Sequence, residues 1–471
     1  MSVGLCLYPT ISVLLKRDLK LLLSALVIAN LAPIWFLHLE GVLSGRDAKE
    51  LLSPAVRIGG FIWANVYSAI FNCLYRFFLK TTSKALHRSA YIWAPDPQSS
   101  LLGLAAIAMF WIPIAIIGQR YESLEQLWWS LTAGRTGGEM GVLLRVTSVG
   151  GSNSFYLPLM WAFQLVPLVS AMALDSHLRQ QNHPVIPWIA TCFGLMVIGF
   201  YLLGGSRGQF IQIVAGPLGL LIFRVRNRGY VAAIIALVSF FLLIGIMELQ
   251  VRQRGNLLEL LSRDNIRPGT AVKNREITTF NPLESHRDNN LYFLCLIVDR
   301  IPKQIDYDGF NSLFIDLVNP IPRALWKDKP SHHDGDLSAR NADAIYNSGP
   351  LQVGTSSISC TVVGEFYKMG GIWGLVVIAA IYSFLQSYTD IHFLRARRLT
   401  TFRVGVQAIS VFFALWGFRA FGTFLNMGYP LMMLVIVLVI GGKLVRAPSS
   451  NASKKMHKES NGNLKCQERA K

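Results

Sequence analysis

Long apolar runs recur along most of this chain, and shorter polar segments separate them. Ten of these runs approach the length of about 20 residues that a helix needs to cross a bilayer. The pattern therefore predicts an all-α polytopic membrane protein with about ten transmembrane helices and short connections. The predicted spans cover residues 21–39, 58–78, 101–118, 154–174, 185–204, 208–223, 230–248, 371–389, 403–422 and 428–445.

The longest stretch without such a run covers residues 250–357. With the segments before it and after it and the C-terminal tail, it makes four predicted parts. Transmembrane helices 1–7 precede it, and a re-entrant segment with transmembrane helices 8–10 follows it. The last part is polar, rich in Ser, Asn and Lys, and we expect it to be disordered. The predicted parts are 1–249 (helices 1–7), 250–357 (one large extracytoplasmic loop), 358–446 (re-entrant segment and helices 8–10) and 447–471 (cytoplasmic tail).

The large loop contains an amphipathic segment, FNSLFIDLVNPIPRALW (310–326). Its apolar residues fall near helical spacing, and Pro320 and Pro322 end the helix that this spacing predicts. Such a helix lies at the membrane interface, with Trp326 at the depth of the lipid headgroups. The loop is therefore expected to contain interfacial helices.

Charge orients this arrangement. Only 15% of the residues are charged and 52% are hydrophobic, whereas soluble domains carry about 25% charged residues. The clusters RVRNR (224–228) and RARR (395–398) occupy short segments on one side, as the positive-inside bias requires of the cytoplasmic side. Both termini are then cytoplasmic and the large loop is outside. The net charge of +18 is topological on this interpretation, so no nucleic-acid partner is expected.

Two arginines fall on the outer side, where the bias disfavours them. Arg207 lies in GGSRGQF (204–210), between two apolar runs, and Arg419 lies in WGFRAFGTF (416–424). A guanidinium group matches phosphate oxygens, so the pair predicts a shared anionic target that Arg323 joins from the loop. The alternative for Arg207 is an arginine at a short hairpin whose side chain extends to the interface.

Three further residues are candidates for a general base. His332 and His333 lie in the polar stretch SHHDGD (331–336). The alternative interpretation of this stretch is a polar turn without a catalytic role. Glu365 opens an apolar segment, where a carboxylate is costly unless it is paired or functional. Its alternative role is as a structural partner of Arg419 or Arg323. No metal-ligand spacing, P-loop or CxxC motif occurs, so neither metal nor cofactor is predicted.

Three motifs carry a family resemblance: GGSRGQF (204–210), PIPRALWKDKP (320–330) and GEFYKMGGIWG (364–374). With the number of spans and the single large outer loop, they resemble the bacterial O-antigen, or oligosaccharide repeat-unit, polymerases of the Wzy type. The resemblance implies a GT-C-like fold in the bacterial inner membrane. It also implies that Arg207 contacts a pyrophosphate, that Glu365 is the acidic residue of the third motif, and that His332 or His333 is the loop histidine.

The activity implied by this resemblance is metal-independent glycosyl transfer. A growing oligosaccharide would leave undecaprenyl pyrophosphate and join a lipid-linked repeat unit, in O-antigen or exopolysaccharide synthesis. Its partners would be those lipid-linked oligosaccharides and membrane lipids, and whether a chain-length regulator also binds is left open. The alternatives are an O-antigen ligase, which uses the same donor, and a transporter or flippase of lipid-linked oligosaccharides.

Overall fold

The described part of the chain is all-helical, with 88% of its residues in helices and no strand, which confirms the predicted all-α class. The computed structural model describes residues 2–15, 24–39, 52–88, 98–118, 156–180, 185–204, 207–224, 290–318, 360–394 and 400–421, with single positions at 123, between 231 and 245 and between 321 and 330. The predicted spans 230–248 (apart from a few positions) and 428–445, and the predicted tail, lie outside these residues.

Eleven α-helices occur in these ranges. They are α1 Ser2–Leu15, α2 Ala25–Pro33 (continued by a π-helix, Ile34–Leu39), α3 Pro54–Arg88, α4 Ser99–Gly118, α5 Tyr156–Gln180, α6 Ile186–Gly204, α7 Arg207–Arg224, α8 Asn290–Arg300, α9 Asn311–Val318, α10 Thr361–Leu394 and α11 Thr401–Trp416.

Local sequence explains two helix ends. The Ser24 hydroxyl caps α2 by accepting a hydrogen bond from the backbone N–H of Val27, which satisfies one of the orphan donors of the first turn. Helix α9 ends at Val318, two residues before Pro320, because the position before a proline is driven out of helical geometry. The helix expected within 310–326 is therefore present, whereas its interfacial position stays a prediction.

Two described helices are long and apolar enough to cross a membrane. They are Ser99–Ile116 in α4 and Thr361–Ile391 in α10. Shorter apolar helices lie in α2 with its π-helix, in α6 and in α7, and they overlap three further predicted spans. Ten spans as a set, and the extracytoplasmic position of the large loop, stay predictions.

Small residues let the helices approach closely. A Cβ added at Gly103 of α4 would meet Ile186 of α6 at 2.7 Å, and one at Gly219 of α7 would meet the Cβ of Ala408 in α11 at 2.6 Å. Close approach at small residues is how apolar helices gain dispersion contacts where burial from water contributes little. The packing between these helices thus depends on their glycines.

The contacts place several helix ends together, at what we call the Asp390 end of the bundle. Asp390, near the end of α10, is fully buried. Its carboxylate accepts hydrogen bonds from the backbone of Ala25 (2.9 Å) and Leu26 (3.2 Å), from the Tyr75 hydroxyl (2.6 Å) and from the Gln407 amide (2.6 Å). One side chain therefore joins the start of α2 to α3, α10 and α11.

A second polar cluster lies at the same end. Arg224, the last residue of α7, pairs with Asp175 of α5 and donates to the hydroxyl of Thr401 (3.1 Å), the first residue of α11. Thr401 in turn hydrogen-bonds Asp175. The ends of α5 and α7 and the start of α11 therefore meet, so α11 runs antiparallel to both.

Candidate functional site

The third motif, GEFYKMGGIWG, forms a sharp bend in α10. Gly370 (φ −168°, ψ 28°) and Gly371 (φ 59°, ψ −131°) both depart from helical geometry. Gly371 lies in a region that side chains with a Cβ rarely adopt. The bend divides α10 into a short part, residues 361–369, and a long part, residues 372–394.

The short part doubles back beside the long part. The ring of Phe421 lies 5.0 Å from that of Phe366 and 6.4 Å from that of Tyr382. In a straight helix, residues 366 and 382 would be about 24 Å apart at 1.5 Å per residue. This is the shape that the predicted re-entrant segment requires, although its entry into a membrane stays a prediction.

Gly374 has a steric role at the bend, because a Cβ there would overlap the carbonyl of Phe366. We expect Gly374→Ala to destabilise the protein by about 3 kcal/mol or more, since the obstacle is backbone that cannot rotate away. The control is Gly199→Ala in α6, where an added Cβ meets nothing within 4 Å and alanine favours the helix. Thermal melts in detergent measure both, and equal melting temperatures for the two variants would contradict this account.

Glu365 lies in the buried short part and is 1% exposed. Its Oε2 accepts a hydrogen bond from the backbone N–H of Phe421 at 2.8 Å. The backbone N–H of Val362 donates to the carbonyl of Phe418 at 2.8 Å. The turn that follows α11 is thereby fixed against the short part of α10, and it carries the partly exposed Arg419. Two of the sequence-predicted site residues are therefore neighbours.

Arg207 is the first residue of α7, and the register of the helices places it at the same level. Helix α7 has 18 residues and α11 has 16, and they are antiparallel, with Arg224 beside Thr401 and Gly219 beside Ala408. Since both helices rise by about 1.5 Å per residue, their other ends also coincide within about one turn. The start of α7 is therefore level with the turn that carries Arg419.

The remaining predicted site residues, Arg323, His332 and His333, lie outside the described residues. Close to them in sequence, the ring of Trp326 lies 6.3 Å from that of Phe314 in α9. In the ranges that are described, no group of three His, Cys, Asp or Glu side chains could hold a metal ion.

Lys368 is a site residue that sequence reasoning does not find. Its side chain is 1% exposed, and its Nζ lies 2.9 Å from Oδ2 of Asp308. The backbone N–H groups of Asp308 (3.1 Å) and Gly309 (3.0 Å) donate to the carbonyls of Lys368 and Met369. These bonds satisfy carbonyls that the bend leaves without helical partners. A lysine inside an apolar motif is the available signal.

Cys295 of α8 packs nearby, against Gly60 of α3. Burial raises the pKa of its thiol to about 12. The thiol therefore stays protonated at neutral pH and does not act as a nucleophile, which needs the thiolate.

The buried carboxylate and the buried ammonium lie on one side of the bend, and the two arginines lie at the same level of the bundle. Such a set can bind an anionic oxygen ligand and accept a proton beside it. No protein-family model matches the chain, and no curated protein or solved structure matches it either.

Proposed function

We propose that this chain is a multi-pass glycan polymerase of the bacterial inner membrane. It transfers a growing oligosaccharide from undecaprenyl pyrophosphate to a lipid-linked repeat unit, in O-antigen or exopolysaccharide synthesis. The observation that carries this proposal is that Arg207, Glu365 and Arg419, chosen from distant motifs, share one level of the bundle. The Wzy-type resemblance of the three motifs supports the same activity.

The Asp390 end is the cytoplasmic end in this proposal, with both termini on that side. The cluster RVRNR begins at Arg224, which is held at that end by Asp175. The cluster RARR lies between the end of α10 and the start of α11, and both of these helix ends are there too. Short basic segments favour the cytoplasmic side, so this supports an outward-facing bend and large loop.

The reaction has one bond-forming and one bond-breaking step at the same carbon. A hydroxyl of the acceptor sugar attacks the anomeric carbon of the donor sugar, and undecaprenyl pyrophosphate leaves with the bonding electron pair. The hydroxyl proton passes to a general base, which is Glu365, His332 or His333. Arg207, Arg323 and Arg419 stabilise the charge that develops on the departing pyrophosphate. The donor is already activated, so the proposed mechanism needs neither nucleotide nor metal.

A direct assay tests the proposal. The protein purified in detergent is supplied with lipid-linked repeat units, without ATP, and the products are separated by size. A ladder of products supports the polymerase. A single transfer to a different acceptor identifies a ligase, and transport in liposomes without any covalent product identifies a transporter; either result overturns the polymerase.

Arg207→Lys is expected to lose most of the activity while keeping normal expression. Lysine keeps the charge but not the two-pronged donor geometry that matches phosphate oxygens. The matched control is Arg76→Lys, an exposed position next to Tyr75 and therefore at the Asp390 end, which should keep wild-type activity. Yields from the ladder assay measure both variants, and full activity in Arg207→Lys would remove this residue from the site.

A further inference from the structure

Three polar side chains form a stripe along the short part of α10. Thr361, Glu365 and Lys368 are separated by four and three positions, so they lie on one face of the helix. All three are buried, with relative exposures of 0%, 1% and 0%. A fully buried polar stripe is unusual inside an apolar motif, because each polar group must find a partner.

Both ends of the stripe keep unused hydrogen-bond donors in the part of the chain that the structure describes. The hydroxyl of Thr361 makes no hydrogen bond there. Lys368 Nζ lies 2.9 Å from Oδ2 of Asp308, which accounts for one of its three N–H donors, and no hydrogen bond to another acceptor is found among the same residues. Thr361 also has a positive φ of 64°, which a β-branched residue rarely adopts.

Both ends have a donor to spare, and an acceptor oxygen would satisfy both, although the hydroxyl can also accept. An ammonium group has three N–H donors and a hydroxyl has one, and the hydrogen bonds they make are strongest with an anionic oxygen. Among the described residues, Asp308 is ion-paired to Lys368, Glu365 lies within the stripe, and Arg419 lies on the neighbouring turn. The carboxylate of Asp308 therefore occupies the position beside Lys368 in which an anionic ligand would bind.

We infer that the stripe is an oxyanion subsite, in which Lys368 binds a phosphoryl oxygen and Thr361 donates to another oxygen of the same ligand. This inference rests on the proposed function, because a lipid-linked sugar diphosphate supplies such oxygens. Glu365 lies between the two donors, so the bound phosphate is next to the carboxylate. Lys368 then offsets the repulsion between these two negative groups.

On this account, Asp308 competes with the ligand for Lys368. It is 22% exposed in its side chain and lies on a turn with Gly309, which has a positive φ of 67°. Two backbone hydrogen bonds to the carbonyls of Lys368 and Met369 hold this turn over Lys368. Binding replaces the carboxylate of Asp308 by a phosphate and needs only the Asp308 side chain to turn away from Lys368, while the two backbone hydrogen bonds keep the turn in place.

Opposite effects of the two partners of the ion pair distinguish this account from a purely structural one. The experiment measures the Kd of radiolabelled inorganic pyrophosphate for the full chain in detergent. We expect Lys368→Met to weaken binding about tenfold and Asp308→Asn to tighten it about tenfold, the effect of one charge-assisted bond lost or freed. Methionine fills the volume of the buried lysine stem, but removing one partner of a buried ion pair is destabilising, so the Kd of each variant is compared only after a thermal melt shows that the variant is folded.

The matched control is the neighbouring exposed pair, Lys303 and Asp299, at 3.0 Å. Lys303→Met and Asp299→Asn should leave the Kd unchanged. Thr361→Val, which removes only the hydroxyl, should weaken binding several-fold and replaces Lys368→Met in the test if that variant does not fold.

The inference is overturned if both partners of the buried pair change the Kd in the same direction, if neither changes it, or if the wild type does not bind pyrophosphate. A product ladder together with any of these results would refute the subsite and leave the polymerase. Opposite shifts without a ladder would keep the anion subsite and refute the polymerase.

Discussion

Asp390→Ala is expected to destabilise the protein strongly. It leaves four donors without their acceptor: the N–H groups of Ala25 and Leu26, the Tyr75 hydroxyl and the Gln407 amide. At about 1 kcal/mol for each buried donor left unpaired, the loss is about 4 kcal/mol. Thermal melts in detergent should show a fall of several degrees in melting temperature.

A graded series sharpens this prediction. Asp390→Asn keeps one acceptor oxygen and should lose about half as much stability as Asp390→Ala. The control is Asp299→Ala, which removes an exposed partner of Lys303 and should change stability little. Equal melting temperatures for Asp390→Ala and Asp299→Ala would show that the four donors find other partners.

Glu365→Gln is expected to slow polymerisation strongly without unfolding the protein. The amide oxygen of glutamine can still accept the hydrogen bond from the Phe421 backbone, so the turn after α11 stays attached to α10. A neutral amide cannot take the hydroxyl proton, and general-base catalysis contributes typically about 10²–10⁴-fold. The ladder assay should therefore show a rate lower by that factor, at an unchanged melting temperature.

Glu365→Ala serves as the companion variant. It removes both the charge and the acceptor, so we expect a lower melting temperature in addition to the lost activity. A Glu365→Gln variant that keeps the wild-type rate would assign the general base to His332 or His333 instead and leave Glu365 with its structural bond.

Helix positions can be predicted from the sequence because apolar run length is a local property. The division between α6 and α7 at GGSRG follows from this pattern, as does the end of α9 before Pro320. Helices α1 and α8 do not follow from it. The first precedes the first predicted span, and the second is a short helix within a loop that the pattern marks as polar.

The polar contacts inside the bundle escape prediction because they depend on residues far apart in sequence. Asp390 lies just beyond the predicted span 371–389, and its partners come from three other helices. The partner of Lys368, Asp308, lies 60 positions earlier in the chain. An ionisable residue inside or beside an apolar run is the usable signal in both cases.

The expected roles of Glu365, as a general base or as a structural partner of Arg419 or Arg323, stay predictions. The structure shows a hydrogen bond from the backbone of Phe421, two residues after Arg419. Such a turn comes near the carboxylate only if α10 bends, and the bend depends on the backbone freedom of Gly371. A pattern of apolar and polar positions does not contain this doubled-back geometry.

The turn at residues 306–310 also has a second role, because it covers the backbone carbonyls that the bend in α10 leaves without helical partners. Buried backbone carbonyls need a hydrogen-bond partner within the protein. The N–H groups of Asp308 and Gly309 bind these carbonyls, and Tyr307 and Phe310 shield the glycines. Excising residues 306–310 would therefore leave the carbonyls of Lys368 and Met369 without these two donors.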